Sequence, residues 1–279
     1  MKWYEKYLQV YGKPFNEVPQ AIVDEVRHKL QALQSAQPLV TVSLIGYNEE
    51  KHLLASLWSL SDMQCRYPVE VIGVDNDSND RTAEIYKATG VPYYTEYRHS
   101  CGYARLCGLT HARGKYHINI DSDTLYPPHY VEIMVDALEQ PGVVAASALW
   151  SYFPDREHSQ TGLWCYELAR DTHLWLQSFK RPELSVRGLV FAYRTEEARQ
   201  VGIRTDIKRG EDGSLALALK PYGKIVFVRK RRARAVTGYG TLGSSLLTSF
   251  KERALKALKG FTGLFTRKME YKDEDDNLI

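Results

Sequence analysis

Five short runs, Leu39 to Ile45, Val69 to Val74, Pro92 to Tyr97, Tyr116 to Ile120 and Val143 to Trp150, read as strands, and most of the stretches between them carry helical patterns. Strands interleaved with helices predict a layered α/β sandwich. The run Tyr116 to Ile120 leads into Asp121-Ser122-Asp123. In an extended chain the i, i+2 spacing aims both carboxylates to one side. A second pair, Asp75-Asn76-Asp77, closes Val69 to Val74, so both pairs are expected along one sheet edge, where open α/β sheets bind their ligands. Acid pairs at such an edge suit a divalent cation and the diphosphate it neutralises, because hard cations prefer oxygen ligands and bridge to phosphates. The same residues have a structural alternative. Asp75, Asp77 and Asp80 are spaced to cap a helix beginning near Arg81, and roughly one Asp-x-Asp is expected by accident in a chain of this size.

A chain of 279 residues with 44% hydrophobic content has material for a substantial core. Its formal charge of +3 does not call for a nucleic-acid partner. Cys65, Cys101, Cys107 and Cys165 form no CxxC pair and no zinc spacing, so they are expected to be reduced thiols, mostly buried. No leader-like apolar region opens the chain and no segment approaches the length of a spanning helix, which predicts a cytoplasmic protein.

Ile22, Val23, Val26, Leu30 and Leu33 recur at helical spacing, and 1–37 is expected to be a helical extension. Beyond Tyr152 the pattern predicts a helix from Gly162 to Phe179, a strand around Leu184 to Tyr193, a helix opened by Gly210-Glu211-Asp212, and a last strand from Ile225 to Val228. The stretch 246–265 has Leu247, Phe250, Ala254, Leu258, Phe261 and Phe265 on one helical face and basic residues mostly elsewhere. Such a helix either lies in a membrane interface or docks on the protein's own core. Trp150, Tyr152, Trp164, Tyr166 and Trp175 could stack on a sugar or serve as packing. The basic run Arg229 to Arg234 is either a solvated face or a phosphate or anionic-lipid contact.

Four blocks in order carry a resemblance: Val42 to Glu50, Val71 to Thr82, Gly102 to Arg105, and Gly114-Lys115-Tyr116 leading into Asp121-Ser122-Asp123. In these the chain resembles glycosyltransferase family 2, whose members have the type-A (GT-A) nucleotide-sugar fold. The resemblance covers roughly 38–235, and neither terminus, and implies a mixed, mostly parallel sheet sandwiched by helices; the helical extensions at both ends come from the residue pattern. The expected division is 38–240 as catalytic domain, with 38–124 as nucleotide-binding half and 125–240 as acceptor half, followed by a basic helix and acidic tail over 241–279.

By the same resemblance Tyr47, Asn48 and Glu49 would border base and ribose, and Asp75 would read a uracil-type N–H, since a carboxylate only accepts. Asp77 and Ser122 are grouped with these donor-binding residues, and Arg105 would lie near the diphosphate, whose charge a guanidinium fork matches. Asp123 would hold Mg²⁺ or Mn²⁺ with two diphosphate oxygens, with Asp121 near the ribose or the metal. Gly188 would let backbone approach the acceptor sugar. Glu211-Asp212 occupies the position of the family's Glu-Asp pair, with Asp212 as general base. The alternative for that pair is favourable charge at a helix N-terminus. Some relatives add a late histidine ligand, and this chain has no histidine after His173.

The expectation is an inverting transferase moving one sugar from a nucleotide diphosphate, UDP most of all, to a sugar or lipid-linked hydroxyl in bacterial-type polysaccharide or glycolipid assembly. Peripheral membrane contact through 246–265 belongs to the same expectation. The competing readings are a non-catalytic sugar-nucleotide-binding or scaffold protein, and a sugar-phosphate nucleotidyltransferase. The latter lacks its glycine-rich basic loop, since Gly46-Tyr47-Asn48-Glu49 follows the first strand. A dinucleotide oxidoreductase is excluded because no GxGxxG stands there.

Overall fold

The computed structural model describes residues 2–154, 160–207 and 210–238. The chain enters through helical turns at Glu5–Gln9 and Phe15–Glu17 and then helix α1 (Gln20–Leu33). Val23, Val26 and Leu30 are the buried face of α1, as its apolar spacing predicts. Each such side chain contributes roughly 1.5–3 kcal/mol on burial. The Gln34 carboxamide donates to the Val71 carbonyl at 2.8 Å and accepts from the Val71 amide at 3.0 Å, tying the end of α1 to the sheet.

Three parallel strands follow, β1 (Val40–Gly46), β2 (Val69–Asp75) and β3 (Tyr93–Thr95), with helices α2 (Leu53–Ser61) and α3 (Thr82–Thr89) between them. Helix α3 stops at Gly90, whose φ of 70° is the left-handed conformation that glycine adopts without a Cβ clash. Helix α4 (Cys101–His111) leads to β4 (Tyr116–Asp121) and the short β5 (Thr124–Leu125). Then come α5 (Tyr130–Leu138), β6 (Val143–Ala148), β7 (Trp150–Tyr152) and α6 (Gln160–Lys180). The described chain ends with β8 (Phe191–Arg194), α7 (Thr195–Val201), α8 (Glu211–Leu219), β9 (Lys224–Val228) and β10 (Ala235–Thr237).

Seven strands form the main sheet in the order β3-β2-β1-β4-β8-β6-β9, and β5-β10-β7 form a smaller one. Among the described residues, only β8 runs against its neighbours in the main sheet. Gly46 pairs with Asp75 and Ile45 with Asp121, so the carboxyl ends of β1, β2 and β4 lie side by side. The expected edge for a ligand is therefore built.

Three expectations need correction. The strand expected around Leu184 to Tyr193 is confined to β8, because Pro182–Ser185 and Gly188–Val190 form 3-10 turns. The Leu184 and Val190 amides are spent inside these turns, on the Arg181 carbonyl at 3.1 Å and the Arg187 carbonyl at 3.0 Å, and are not free for a ladder. The run Val143 to Trp150 divides at Leu149, with β6 in the large sheet and β7 in the small one. Ile225 to Val228 is not the last strand, since β10 pairs with β7 and β5.

The basic run does not continue a strand: Arg231–Ala233 is a 3-10 turn, Arg229 to Arg232 are exposed, and Arg234 pairs with Asp171 at 2.5 Å. A solvated basic face is the reading this geometry favours. All four cysteines are free, but none is buried: Cys65 and Cys107 are half-buried, Cys101 and Cys165 exposed. Trp150, Tyr152 and Tyr166 are core residues, whereas Trp164 is exposed. Among the described residues no helix is long and apolar enough to cross a membrane. The amphipathic stretch 246–265 lies outside the described residues.

Candidate active site

Arg105 on α4 is the centre of the site. Only 4% exposed, its side chain meets three carboxylates from two other elements. Nη2 donates to Asp121 Oδ1 at 2.9 Å, Nε donates to Glu211 Oε1 at 3.4 Å, and Nε stands 3.1 Å from Asp212 Oδ1. One cation among three acids cannot neutralise them all. Burial first, then the Glu211 and Asp121 charges, outweigh Arg105 and push the Asp212 carboxyl up from its ordinary 3.8 to about 7. All the partners of Arg105 here are carboxylates, rather than open solvent where a diphosphate would approach. Its Nη1 is buried with no hydrogen-bond partner among the described residues.

Gly188 explains how the acids come so close. A Cβ built on it would stand 1.9 Å from Arg105 Nη2 and 2.2 Å from Asp212 Oδ2. The space that a side chain at 188 would fill is held by Arg105 and Asp212. Gly188→Ala is expected to push this ion cluster apart, lowering stability by roughly 1–3 kcal/mol through overpacking and turnover by more than about tenfold. Thermal melting and initial rates check both.

The two acids of Asp121-Ser122-Asp123 face different surroundings. Asp121 points to Arg105. Asp123 is pushed up from 3.8 to about 6, by burial and then by the charges of Asp121 and Glu49. Between them Ser122 is buried and donates to the Ile45 carbonyl, locking the end of β4 to β1.

On the β2 side, Asp75 is 4% exposed and accepts from the Ser78 amide at 3.2 Å. Asp80 takes the capping role, accepting from the Thr82 amide at 2.9 Å. Asp77 has φ 60° and stands 3.4 Å from the His99 imidazole. Tyr47 is 48% exposed with its ring against His99. Asn48 pins two loops together: its amide donates to Ser78 Oγ at 2.9 Å and its Oδ1 accepts from the Asn79 amide at 2.8 Å. Glu49 faces His52 at 2.8 Å.

Other residues at the site did not stand out in sequence. Tyr11 reaches from the N-terminal segment to donate to the Asp123 carbonyl at 2.8 Å. Tyr126 accepts from the Asp121 amide at 3.0 Å and donates to the Leu189 carbonyl at 2.8 Å, joining β4 to the turn at Gly188. His117, Asn119 and Tyr193 form a buried polar group beneath Asp212. The signal for His117 and Asn119 was present, because both fall on the same face of β4 as Asp121.

A mostly parallel mixed sheet with its acids gathered at the carboxyl edge defines a GT-A-type protein. A family model described as glycosyl transferase family 2 matches residues 41–195. The chain belongs to this family. It is 28% identical over 105 residues to an uncharacterized glycosyltransferase of Rickettsia prowazekii, a match spanning 37% of this chain and 33% of that relative. Among solved structures, a mannosyltransferase of Pyrobaculum calidifontis in complex with GDP-Man and Mn²⁺ aligns with TM-score 0.59 and 18% identity, over 90% of this chain and 77% of that one. Glucosyl-3-phosphoglycerate synthase of Mycobacterium tuberculosis, in complex with Mn²⁺, UDP-glucose and phosphoglyceric acid, aligns with TM-score 0.51 and 24% identity over 73% of each chain. At these identities the likeness shows the fold.

Proposed function

We propose that the protein transfers a single sugar from a nucleotide diphosphate donor to a hydroxyl acceptor with inversion, Asp212 acting as general base. The observation that carries this reading is the Asp212 carboxyl, raised to about 7 within an ion cluster at the carboxyl edge of the sheet. A base poised near neutrality deprotonates an acceptor hydroxyl with typical gains of about 10²–10⁴-fold. Attack from the face opposite the leaving diphosphate inverts the anomeric centre. In this reading 38–124 supplies the nucleotide side, with Asp75 accepting from the base and Tyr47 packing beside it, and 125–240 supplies the acceptor side.

The residues present fit a divalent cation. Asp123 is a largely desolvated carboxylate whose charge is opposed by two neighbouring acids, so a cation relieves it. An ion such as Mg²⁺ takes one or two protein carboxylates and completes its coordination with substrate phosphates and water. Asp123 would hold the ion, with Asp121 beside it. Bound there, it supplies neutralisation of the charge that builds on the departing nucleotide diphosphate. The Mn²⁺ found with UDP-glucose or GDP-Man in the two solved relatives supports the same reading.

The test is a screen of UDP-, GDP- and dTDP-sugars for nucleotide release, against lipid-linked and free sugar acceptors, with Mn²⁺ or with a chelator. Release from one donor class, lost with the chelator and in Asp123→Asn, is the expected result. Nucleotide binding by calorimetry without turnover of any donor would replace this reading with a sugar-nucleotide-binding scaffold.

A further inference from the structure

The face of β4 that carries Asp121 is polar where a sheet core would ordinarily be apolar. His117 and Asn119 occupy the two preceding positions on that face, and both are almost fully buried. Tyr193, paired with His117 in the β4–β8 register, stacks its ring on the imidazole at 5.1 Å. Burying such groups costs free energy unless they are hydrogen-bonded, and leucine or valine would pack here at no such cost. The row is therefore informative where it ends.

It ends on Asp212. The Asn119 carboxamide oxygen accepts from the Tyr193 hydroxyl at 3.1 Å and from His117 Nε2 at 3.0 Å. Burial drives the His117 pKa down to about 3, so the ring is neutral, and since Nδ1 is buried with no hydrogen-bond partner among the described residues, the tautomer with its proton on Nε2 is the one that spends that proton on a hydrogen bond. With two donors holding the oxygen, the amide nitrogen must face the other way. There it donates to Asp212 Oδ1 at 3.3 Å. Oδ1 is also the oxygen 3.1 Å from Arg105 Nε, whereas Oδ2 lies against Gly188.

We propose that Asn119 is a positioning residue for Asp212: it anchors Oδ1 together with Arg105, and Oδ2, beside the bare backbone of Gly188, is the oxygen that takes the acceptor proton. Tyr193 and His117 act one step further back by fixing which way the carboxamide is turned. In the transfer the acceptor O–H bond breaks, its proton goes to Oδ2, the oxygen forms the new bond to the anomeric carbon, and the bond to the nucleotide diphosphate breaks with its electron pair. The inference rests on Asp212 being the base.

Two substitutions test it. Asn119→Asp keeps an acceptor for Tyr193 and His117 but turns an oxygen toward Asp212, and Tyr193→Phe keeps the ring stacked while removing one of the two donors. With the donor sugar found in the screen, Asn119→Asp is expected to lower kcat about 10–100-fold, within the range a positioned base supplies, and to leave donor KM within about twofold. Tyr193→Phe is expected to lower kcat about 3–10-fold, the effect of losing one modest hydrogen bond. In an Asp212→Asn background, followed under single-turnover conditions, neither change should slow the reaction further. Wild-type kcat in both variants, a loss carried by donor KM, or equal losses with and without Asp212 would overturn the assignment. Should Asn119→Asp melt below the assay temperature, Tyr193→Phe decides by the same criteria. Wild-type turnover in Asp212→Asn alone would instead remove the base itself, which is a separate result.

Discussion

Asp212→Asn is expected to lower turnover about 10²–10⁴-fold, the contribution of a positioned general base, while making the folded protein no less stable at pH 8. The two halves of this result have one cause. The Asp212 carboxyl is raised from 3.8 to about 7 because burial, Glu211 and Asp121 all oppose its charge, with Arg105 the cation and Asn119 the hydrogen bond that favour it. A carboxyl whose folded pKa lies above its unfolded one contributes stability that is fully present below about pH 4 and is lost as pH rises through about 7. Asparagine cannot ionise and keeps hydrogen-bonding capacity, so the melting temperature of Asp212→Asn relative to wild type should increase from pH 5 to pH 8. Wild-type turnover should rise over the same interval as Asp212 loses its proton. The groups that face it are Arg105 from α4, Asn119 and Asp121 from β4, and Glu211 from its own helix. Melting curves and a pH–rate profile check both halves, and a variant that is less stable at pH 8 than at pH 5 relative to wild type would contradict the account.

The fold was legible wherever the signal was local. Period-two alternation and flanking turn residues located β1, β2 and β4 to within a residue, and the apolar stripe of α1 appears as its buried face. Legibility failed where a run of strand-forming residues serves two sheets, as at Leu149, or where local turns take up the amides a ladder would need, as at Leu184 and Val190. The acids themselves could be picked out, Asp121 and Asp123 as a pair closing a strand, and Glu211 and Asp212 through the family resemblance. What they do to one another could not. Arg105 meets Asp121 across 16 residues and Glu211 across 106, and no pattern in the intervening chain encodes that meeting. Tyr11 was obscured likewise, because an N-terminal segment read as an extension packs Tyr4, Tyr7 and Val10 into the main core and delivers its hydroxyl to the Asp123 carbonyl.

The largest loss of stability is expected from Arg105. Removing the guanidinium leaves Asp121, Glu211 and Asp212 facing one another with no cation between them, at a position only 4% exposed. Breaking a buried ion pair from one side typically costs about 3–5 kcal/mol, because the remaining charge is left uncompensated. Arg105→Gln should therefore fall in that range at pH 8 in a denaturant titration. The deficit should shrink as pH falls toward about 7, since Asp212, without the arginine that lowers its pKa, takes up a proton at higher pH than in the wild type and that proton does part of what the arginine did. Arg105→Lys should recover only part of the loss: a single ammonium cannot reproduce the separate Nη2 and Nε contacts to Asp121 and Glu211. Combining Arg105→Gln with Asp212→Asn removes one of the uncompensated charges together with the cation. The double variant should be more stable at pH 8 than the sum of the two single-variant effects gives, by a coupling on the order of 0.5–3 kcal/mol. If the two effects instead simply add, the acids are not held in one ion cluster, and the raised Asp212 carboxyl on which the proposed chemistry depends loses its structural cause.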